Sequence, residues 1–264
     1  MLPDAPPIDF HLARALLAWQ LELGADEPIG DGPVNRYDLA IEVPKAVAAV
    51  AQVAPAVQAG PDPIALATAL AAGARTLADL ADVQSGYDHC LLKKGARSFV
   101  FADGNPAARV MVIGEAPGRD EDQEGRPFVG RAGQLLDRMF AAIGLTRTAP
   151  DAEGALYITN TLPWRPPQNR DPEAEEIAMM LPFLARHVEL ANPDLIVLMG
   201  NTPCAAALGQ RGILRLRGTW AQAFGRPAMP MTHPAYLLRT PAAKREAWAD
   251  LLAIKARLLG RASA

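Results

Sequence analysis

Three short segments hold the side chains best suited to chemistry. The first runs Gly114-Glu115-Ala116-Pro117-Gly118, then through Glu121 to Phe128-Val129-Gly130, placing five carboxylates, Glu115 and Glu121 among them, and one aromatic ring in a glycine-rich stretch. Glycines 114, 118, 125, 130 and 133 permit sharp turns and close approach of backbone to a ligand. They match neither the phosphate loop, which needs Gly-Lys-Ser or Gly-Lys-Thr at a helix start, nor the dinucleotide glycine spacing, so ATP and NAD chemistry is disfavoured. Phe128 can grip a flat ligand or pack into a core, and the loop alone leaves both open. The second segment begins at Asn160 and continues Thr161-Leu162-Pro163-Trp164-Arg165-Pro166-Pro167. An asparagine amide has one acceptor and two donors for the edge of a planar ligand, and it equally caps its own turn. The third is His233-Pro234-Ala235-Tyr236-Leu237-Leu238-Arg239, where a histidine can donate to developing negative charge from a loop stiffened by proline. Leu237 and Leu238 read either as apolar wedges on an exposed tip or as the start of a terminal helix's core face.

Each segment follows a short apolar run with the character of a buried parallel strand. These runs are Arg109–Ile113, Leu156–Thr159 and Ala228–Thr232, with a fourth at Leu195–Met199. Helical patterns at Gly133–Ile143, Glu173–Leu190 and Cys204–Leu208 lie between them, and a last helix is expected at Ala242–Leu259. Alternation of this kind predicts a three-layer α/β/α fold around a central four-stranded parallel sheet, with ligands bound outside the carboxyl ends of the strands. Ahead of it, Phe10, Leu12, Ala15, Leu16, Trp19 and Leu23 fall at helical spacing before Gly24. An Ala-, Val- and Pro-rich tether from about 44 leads to a helix expected over 65–83. The expected division is an N-terminal helical extension, 1–82, and an α/β domain, 83–264.

The chain of 264 residues has a formal net charge of only -3, but the charge is unevenly spread. Residues 1–98 hold 7 Lys+Arg against 12 Asp+Glu, and residues 201–264 hold 10 against 2. An acidic front and a basic back point to a polyanionic partner for the back. No apolar run approaches the roughly 18 residues of a membrane span, and the N-terminus lacks a signal-peptide pattern. Two cysteines, Cys90 and Cys204, with four scattered histidines, build neither a disulfide framework nor a local zinc motif. A reducing cytoplasm and a monomer are the defaults.

Over roughly residues 87–258 the chain resembles the uracil-DNA glycosylase superfamily, and its family 4 most closely. The resemblance is carried by GNPAARVMVIGEAPGRDEDQEGRPFVGRAGQLLDRM, YITNTLPWRPPQNRDPEAEEIAMMLPFLARHV, NPDLIVLMGNTPCAAAL and THPAYLLR. It implies hydrolysis of the N-glycosidic bond of deoxyuridine, in single- or double-stranded DNA, as the opening step of base-excision repair. Such an enzyme takes the base out of the stack and encloses it. By position, Phe128 would stack on uracil, Asn160 would read its O4 and N3 edge, and His233 would hydrogen-bond O2. Gly114, Ala116, Pro117 and Gly118 would border the base. Glu115 and Glu121 match the family's active-site glutamates and would serve the cationic sugar or its attacking water. Ala116 stands where another glycosylase family has a catalytic aspartate. Arg165, Arg170, Arg239, Lys244 and Arg245 are candidates for phosphate contact, although the last two also suit a solvated basic helix, and Leu237 and Leu238 for the wedge.

Family 4 enzymes usually carry a four-iron four-sulfur cluster on four cysteines. The resemblance aligns those positions with Tyr87, Cys90, Trp164 and Met180 here, and Cys204 with none of them. Clusters need thiolates, so no cluster, no other metal and no cofactor is expected, and Cys90 is expected as a buried free thiol. Two alternatives stay open: a glycosylase for hypoxanthine or xanthine, or a non-catalytic relative that binds uracil-containing DNA.

Overall fold

The computed structural model describes residues 9–22 and 62–260. The chain divides into two units, Met1–Val57 and Gln58–Ala264. In the first, α1 (Phe10–Glu22) begins where the Asp9 carboxylate accepts the N–H groups of His11 and Leu12, an N-cap that satisfies otherwise orphaned donors. Leu23, the stop expected at Gly24 and the tether over 44–61 lie outside the described residues.

The second unit contains, in chain order, α2 (Pro63–Gly73), α3 (Leu77–Ser85), α4 (Leu92–Gly95), β1 (Ala102–Gly104), β2 (Val110–Gly114), α5 (Arg119–Glu124), α6 (Arg131–Ala141), β3 (Leu156–Asn160), α7 (Ala174–Ala191), β4 (Leu195–Met199), α8 (Asn201–Leu208), α9 (Ile213–Leu216), β5 (Ala221–Ala223), β6 (Arg226–Met231), α10 (Pro234–Arg239) and α11 (Lys244–Leu258). Sheet order is β1-β3-β2-β4-β6-β5. The four inner strands are parallel and are the four expected from sequence. The sheet is wider than expected, because β1 pairs with β3 and β5 with β6, each antiparallel.

Alternation along the inner strands divides their side chains between two layers. Val110, Val112, Leu156, Ile158, Val197 and Met229 face α6 and α11, packing on Leu136, Phe140, Leu251 and Ile254. Met111, Ile113, Ile196 and Leu198 face the other way, toward Leu184 and Val188 of α7 and Cys204 of α8. Burial on both sides explains why these strands read as continuous apolar runs.

The single helix expected over 65–83 is two. Ala74 turns to an extended conformation after α2, and Thr76 restarts the chain by a capping box with Asp79. Both helices pack through Ala67, Ala71, Ala74 and Leu80 on a third core with Phe183 and Met180 of α7. The boundary expected at 82/83 falls inside α3.

Candidate active site

The parallel register aligns the carboxyl ends of the strands: Gly114 pairs with Asn160, and Met199 with Met231. Just beyond these ends lies a cavity of about 730 Å³. Residues 115–118, Glu121, Phe128, Asn160, Thr202, Thr232 and His233 all line it. Three segments far apart in the chain therefore meet at one place, as expected for ligand sites in open α/β sheets.

Close approach at the base of the cavity depends on glycine. A Cβ on Gly114 would lie 2.4 Å from Asn160 Oδ1 and 2.5 Å from the Phe128 ring, so only hydrogen lets both side chains close over the end of β2. Phe128 is buried and has φ +54°, a rare conformation for a bulky residue, held only where the surroundings over-determine it. They do so here in three ways. The Glu121 carboxylate accepts the N–H groups of Gly118, Val129 and Gly130 at 3.0–3.1 Å. Arg147, itself almost buried, donates to the carbonyls of Pro127 and Phe128 at 2.9 Å, while Asp103 and Asp137 bind the rest of its guanidinium. Gly133 leaves room for the Phe128 carbonyl, which a Cβ would meet at 1.8 Å.

Asn160 is buried, lines the cavity, and its amide has no protein hydrogen-bond partner among the described residues. The His233 ring lies 5.4 Å from that of Phe128, with planes 30° apart. His233 Nδ1 accepts the Ala235 N–H at 3.2 Å, which puts the proton of the neutral ring on Nε2. Burial, with a smaller contribution from the Arg239 charge, lowers its pKa to about 4. At neutral pH the ring is an uncharged Nε2–H donor. Glu115 accepts the Thr202 hydroxyl at 2.6 Å, fixing one carboxylate oxygen. Thr232 Oγ1, which has no partner, is the one such buried side-chain atom among the described residues.

The residues expected at the site divide by position. Glu115, Ala116, Pro117, Gly118, Glu121, Phe128, Asn160, Arg170, His233 and Arg239 line the cavity, with Gly114 beneath it. Three backbone N–H groups occupy both oxygens of Glu121, which ties its carboxylate to the loop that carries Phe128. Arg170 is paired bidentately with Glu176 and lies near Glu173. Burial raises the Glu176 pKa, but Arg170 and the Glu173 N–H outweigh it and hold the carboxyl below its ordinary value. Arg165 bonds Asn169 rather than facing the cavity, and Lys244 opens α11 on the exposed surface.

The wedge expected at Leu237 and Leu238 is corrected. Leu237 is fully buried in the core of the α6–α11 face, and Leu238 is partly buried against the same core. The six-residue helix α10 turns both inward, because the terminal segment docks there. Sequence reading passed over Thr202, which lies three residues beyond the end of β4, in the first turn of α8. It also passed over Arg147, whose partners are 10 to 44 residues distant and leave no local pattern.

Tyr87, Cys90, Trp164 and Met180 meet in one apolar core, each 0–2 % exposed. The Tyr87 hydroxyl donates to the Pro63 carbonyl, Gln84 Nε2 donates to the Met180 sulfur at 3.8 Å, and burial raises the Cys90 thiol pKa. One protonated thiol beside a phenol, an indole and a thioether does not fit a cluster that needs thiolates. The aromatic rings fill the space instead, with Phe183 against Tyr87 at 5.5 Å and Phe99 against Trp164 at 5.7 Å.

Residues 101–252 match the family profile described as the uracil DNA glycosylase superfamily. The type-4 uracil-DNA glycosylase of Thermotoga maritima is 38% identical over 155 residues, covering 57% of this chain and 77% of its own. Its counterpart in Saccharolobus solfataricus is 36% identical over 187 residues, covering 67% and 83%. That of Pyrobaculum aerophilum is 34% identical over 179 residues, covering 62% and 85%. Fold, site and sequence agree: the chain belongs to the uracil DNA glycosylase superfamily.

Proposed function

We propose that this protein is a uracil-DNA glycosylase that works without an iron-sulfur cluster. The observation that carries the catalytic reading is the meeting of Phe128, Asn160 and His233 around one cavity, with the Asn160 amide uncommitted and His233 in its Nε2–H form. A uracil flipped from the stack lies against the Phe128 ring and offers its N3–H and O4 to Asn160, an acceptor and donor pair on one amide. As the C1′–N1 bond breaks, its electron pair moves onto the base and negative charge grows at O2. The neutral Nε2–H of His233 stabilises that charge without needing a proton from solvent.

The sugar becomes cationic as the base departs, and a carboxylate nearby lowers the energy of that state. Glu115 fills this role, with one oxygen fixed by Thr202 and the other left for the sugar or its water. Water adds its oxygen to C1′ and gives up a proton, which the departing uracil anion takes up after release, so the products are uracil and an abasic site. Glu121 acts earlier, by holding the loop that carries Phe128. Substrates are single- and double-stranded DNA containing uracil. The enzyme acts as a monomer, and in the cytoplasm, the latter supported by two buried free thiols.

Oligonucleotides with one uracil, hypoxanthine or xanthine, single-stranded and duplex, test the activity through alkali-labile abasic sites. Cleavage at uracil is expected; binding without cleavage of any of them would overturn the reading. Purified protein should lack stoichiometric iron and the broad visible absorption of a cluster, and finding both would refute the cluster-free assignment.

A further inference from the structure

With Leu237 buried, the apolar side chain at the cavity mouth belongs to a different part of the chain. We propose that the connection from Gly209 to Gly218, between α8 and β5, is a second DNA-contacting jaw, in which Leu214 fills the stack vacated by the flipped nucleotide and Arg211 contacts a phosphate. This rests on the glycosylase reading above.

Leu214 is 59% exposed, lines the same cavity as Phe128, Asn160 and His233, and belongs to none of the cores. Its helical neighbours Ile213 and Leu216 pack on the core under β4, so α9 is amphipathic and presents Leu214 and Arg215 outward. Arg211 and Arg239 also line the cavity and are exposed, and neither forms an ion pair among the described residues. An exposed leucine that shares a cavity lining with two uncompensated arginines suits a partner that is both polyanionic and stacked. A protein partner would answer the leucine but not the arginines.

The jaw is also rigid, as a wedge must be to displace a base. Asn201 Oδ1, directly after β4, accepts the N–H groups of Gly212 and Ile213 at 3.0 and 2.9 Å. Gly212 turns at φ +102°, open to glycine at little cost. Arg217 ties the far end to the buried Asp250 of α11 and to the Glu246 carbonyl. The jaw is thus anchored at both ends while Leu214 stays outside.

The test compares wild type with Leu214→Ala and Arg211→Gln on a uracil-containing duplex and on the same strand alone, with Leu252→Ala, an exposed leucine outside the cavity lining, as the control. A wedge is needed only where a stack must be opened. Leu214→Ala should therefore lower kcat/KM on the duplex roughly tenfold more than on the single strand. It should also reduce the fluorescence rise of 2-aminopurine placed beside the uracil. Arg211→Gln should shorten the slope of log affinity against log salt on an uncleaved duplex by about 0.9. Equal losses on both substrates, or no loss, would overturn the wedge, and an unchanged salt slope would overturn the phosphate contact. Wild-type protein inert on both substrates would instead sink the glycosylase reading, while the salt slope still tests the surface.

Discussion

At the scale of single residues, the site works through groups whose state is set by what surrounds them. His233 is neutral because its half-buried ring is desolvated and lies near the Arg239 charge, and it donates from Nε2 because Nδ1 is already bonded to the Ala235 N–H. His233→Ala should lower kcat by about 10²–10³, the usual loss for a single oxyanion donor, while chemical denaturation shows a much smaller change in stability. Unchanged single-turnover rates would remove it from the mechanism. Asn160→Ala should act on base choice as well as rate, since in the proposed mechanism the uncommitted amide reads the edge of the base. With the His233 pKa lowered to about 4, the rate on a uracil substrate should show no inflection near pH 6.5 and fall only as pH nears 4. An acid limb at 6.5 assigned to His233 by its loss in His233→Ala would contradict the burial argument.

At the scale of elements, the loop between β2 and α6 is the device that makes Phe128 useful. An aromatic residue at positive φ costs of order 1–3 kcal/mol and persists only because Glu121, Arg147 and Gly133 hold the loop on three sides. Arg147→Met would leave two carbonyls and two aspartates without their shared donor. It should destabilise the fold by about 3 kcal/mol and weaken uracil binding, seen as a raised KM and loss of product inhibition by free uracil. Restoration of both stability and uracil inhibition in Arg147→Lys would count against the fork geometry, because a lysine cannot span both carbonyls and both carboxylates. The other elements show where local pattern stops being informative. β1 is Ala-Asp-Gly and β5 is Ala-Gln-Ala, three residues each, and each is a strand only because a parallel strand with open edge groups lies beside it. The break between α2 and α3 was written in Thr76 and Asp79, although an Ala-rich stretch of high helix propensity runs up to it on the N-terminal side.

At the scale of the molecule, two desolvated histidines, the buried His187 and the half-buried His233, tie stability to pH. His187, stacked on Phe101 at 4.3 Å and bonded to the Tyr157 hydroxyl at 2.9 Å, has a pKa lowered to about 3 by burial. Below pH 6.5 the unfolded chain protonates both His187 and His233 while the folded chain does not until about 3 and 4. The unfolded state then binds more protons, so stability declines as pH falls from 6.5 toward 4, by up to about 1.4 kcal/mol per unit for each group. Urea midpoints measured from pH 7 to 4.5 should fall accordingly. The decline should be shallower in His187→Gln, and an identical slope would show that His187 is not buried as a neutral ring. The third core adds a stabilising layer of a different kind, since Tyr87, Trp164 and Met180 fill it with packed apolar surface at positions that the resemblance aligns with ligand cysteines.

The amino-acid sequence by itself determined the four parallel strands, the order of the three chemical segments and the shortage of thiolates. Each of these is local: an apolar run buried on both faces, a motif directly after it, a residue type at a position. The same reasoning reached the cavity residues, because an open parallel sheet exposes the carboxyl ends of its strands whatever the details of packing. Only the tertiary structure decided which way α10 turns, burying Leu237 in the core of the α6–α11 face while α9 leaves Leu214 outside. It also turned Glu121 into a backbone clasp, paired Arg170 with Glu176 and put Arg147 behind Phe128. These outcomes depend on partners distant in the chain or on competition between equally apolar faces. A periodicity shows that a face exists; the energy of filling the core determines which face is buried.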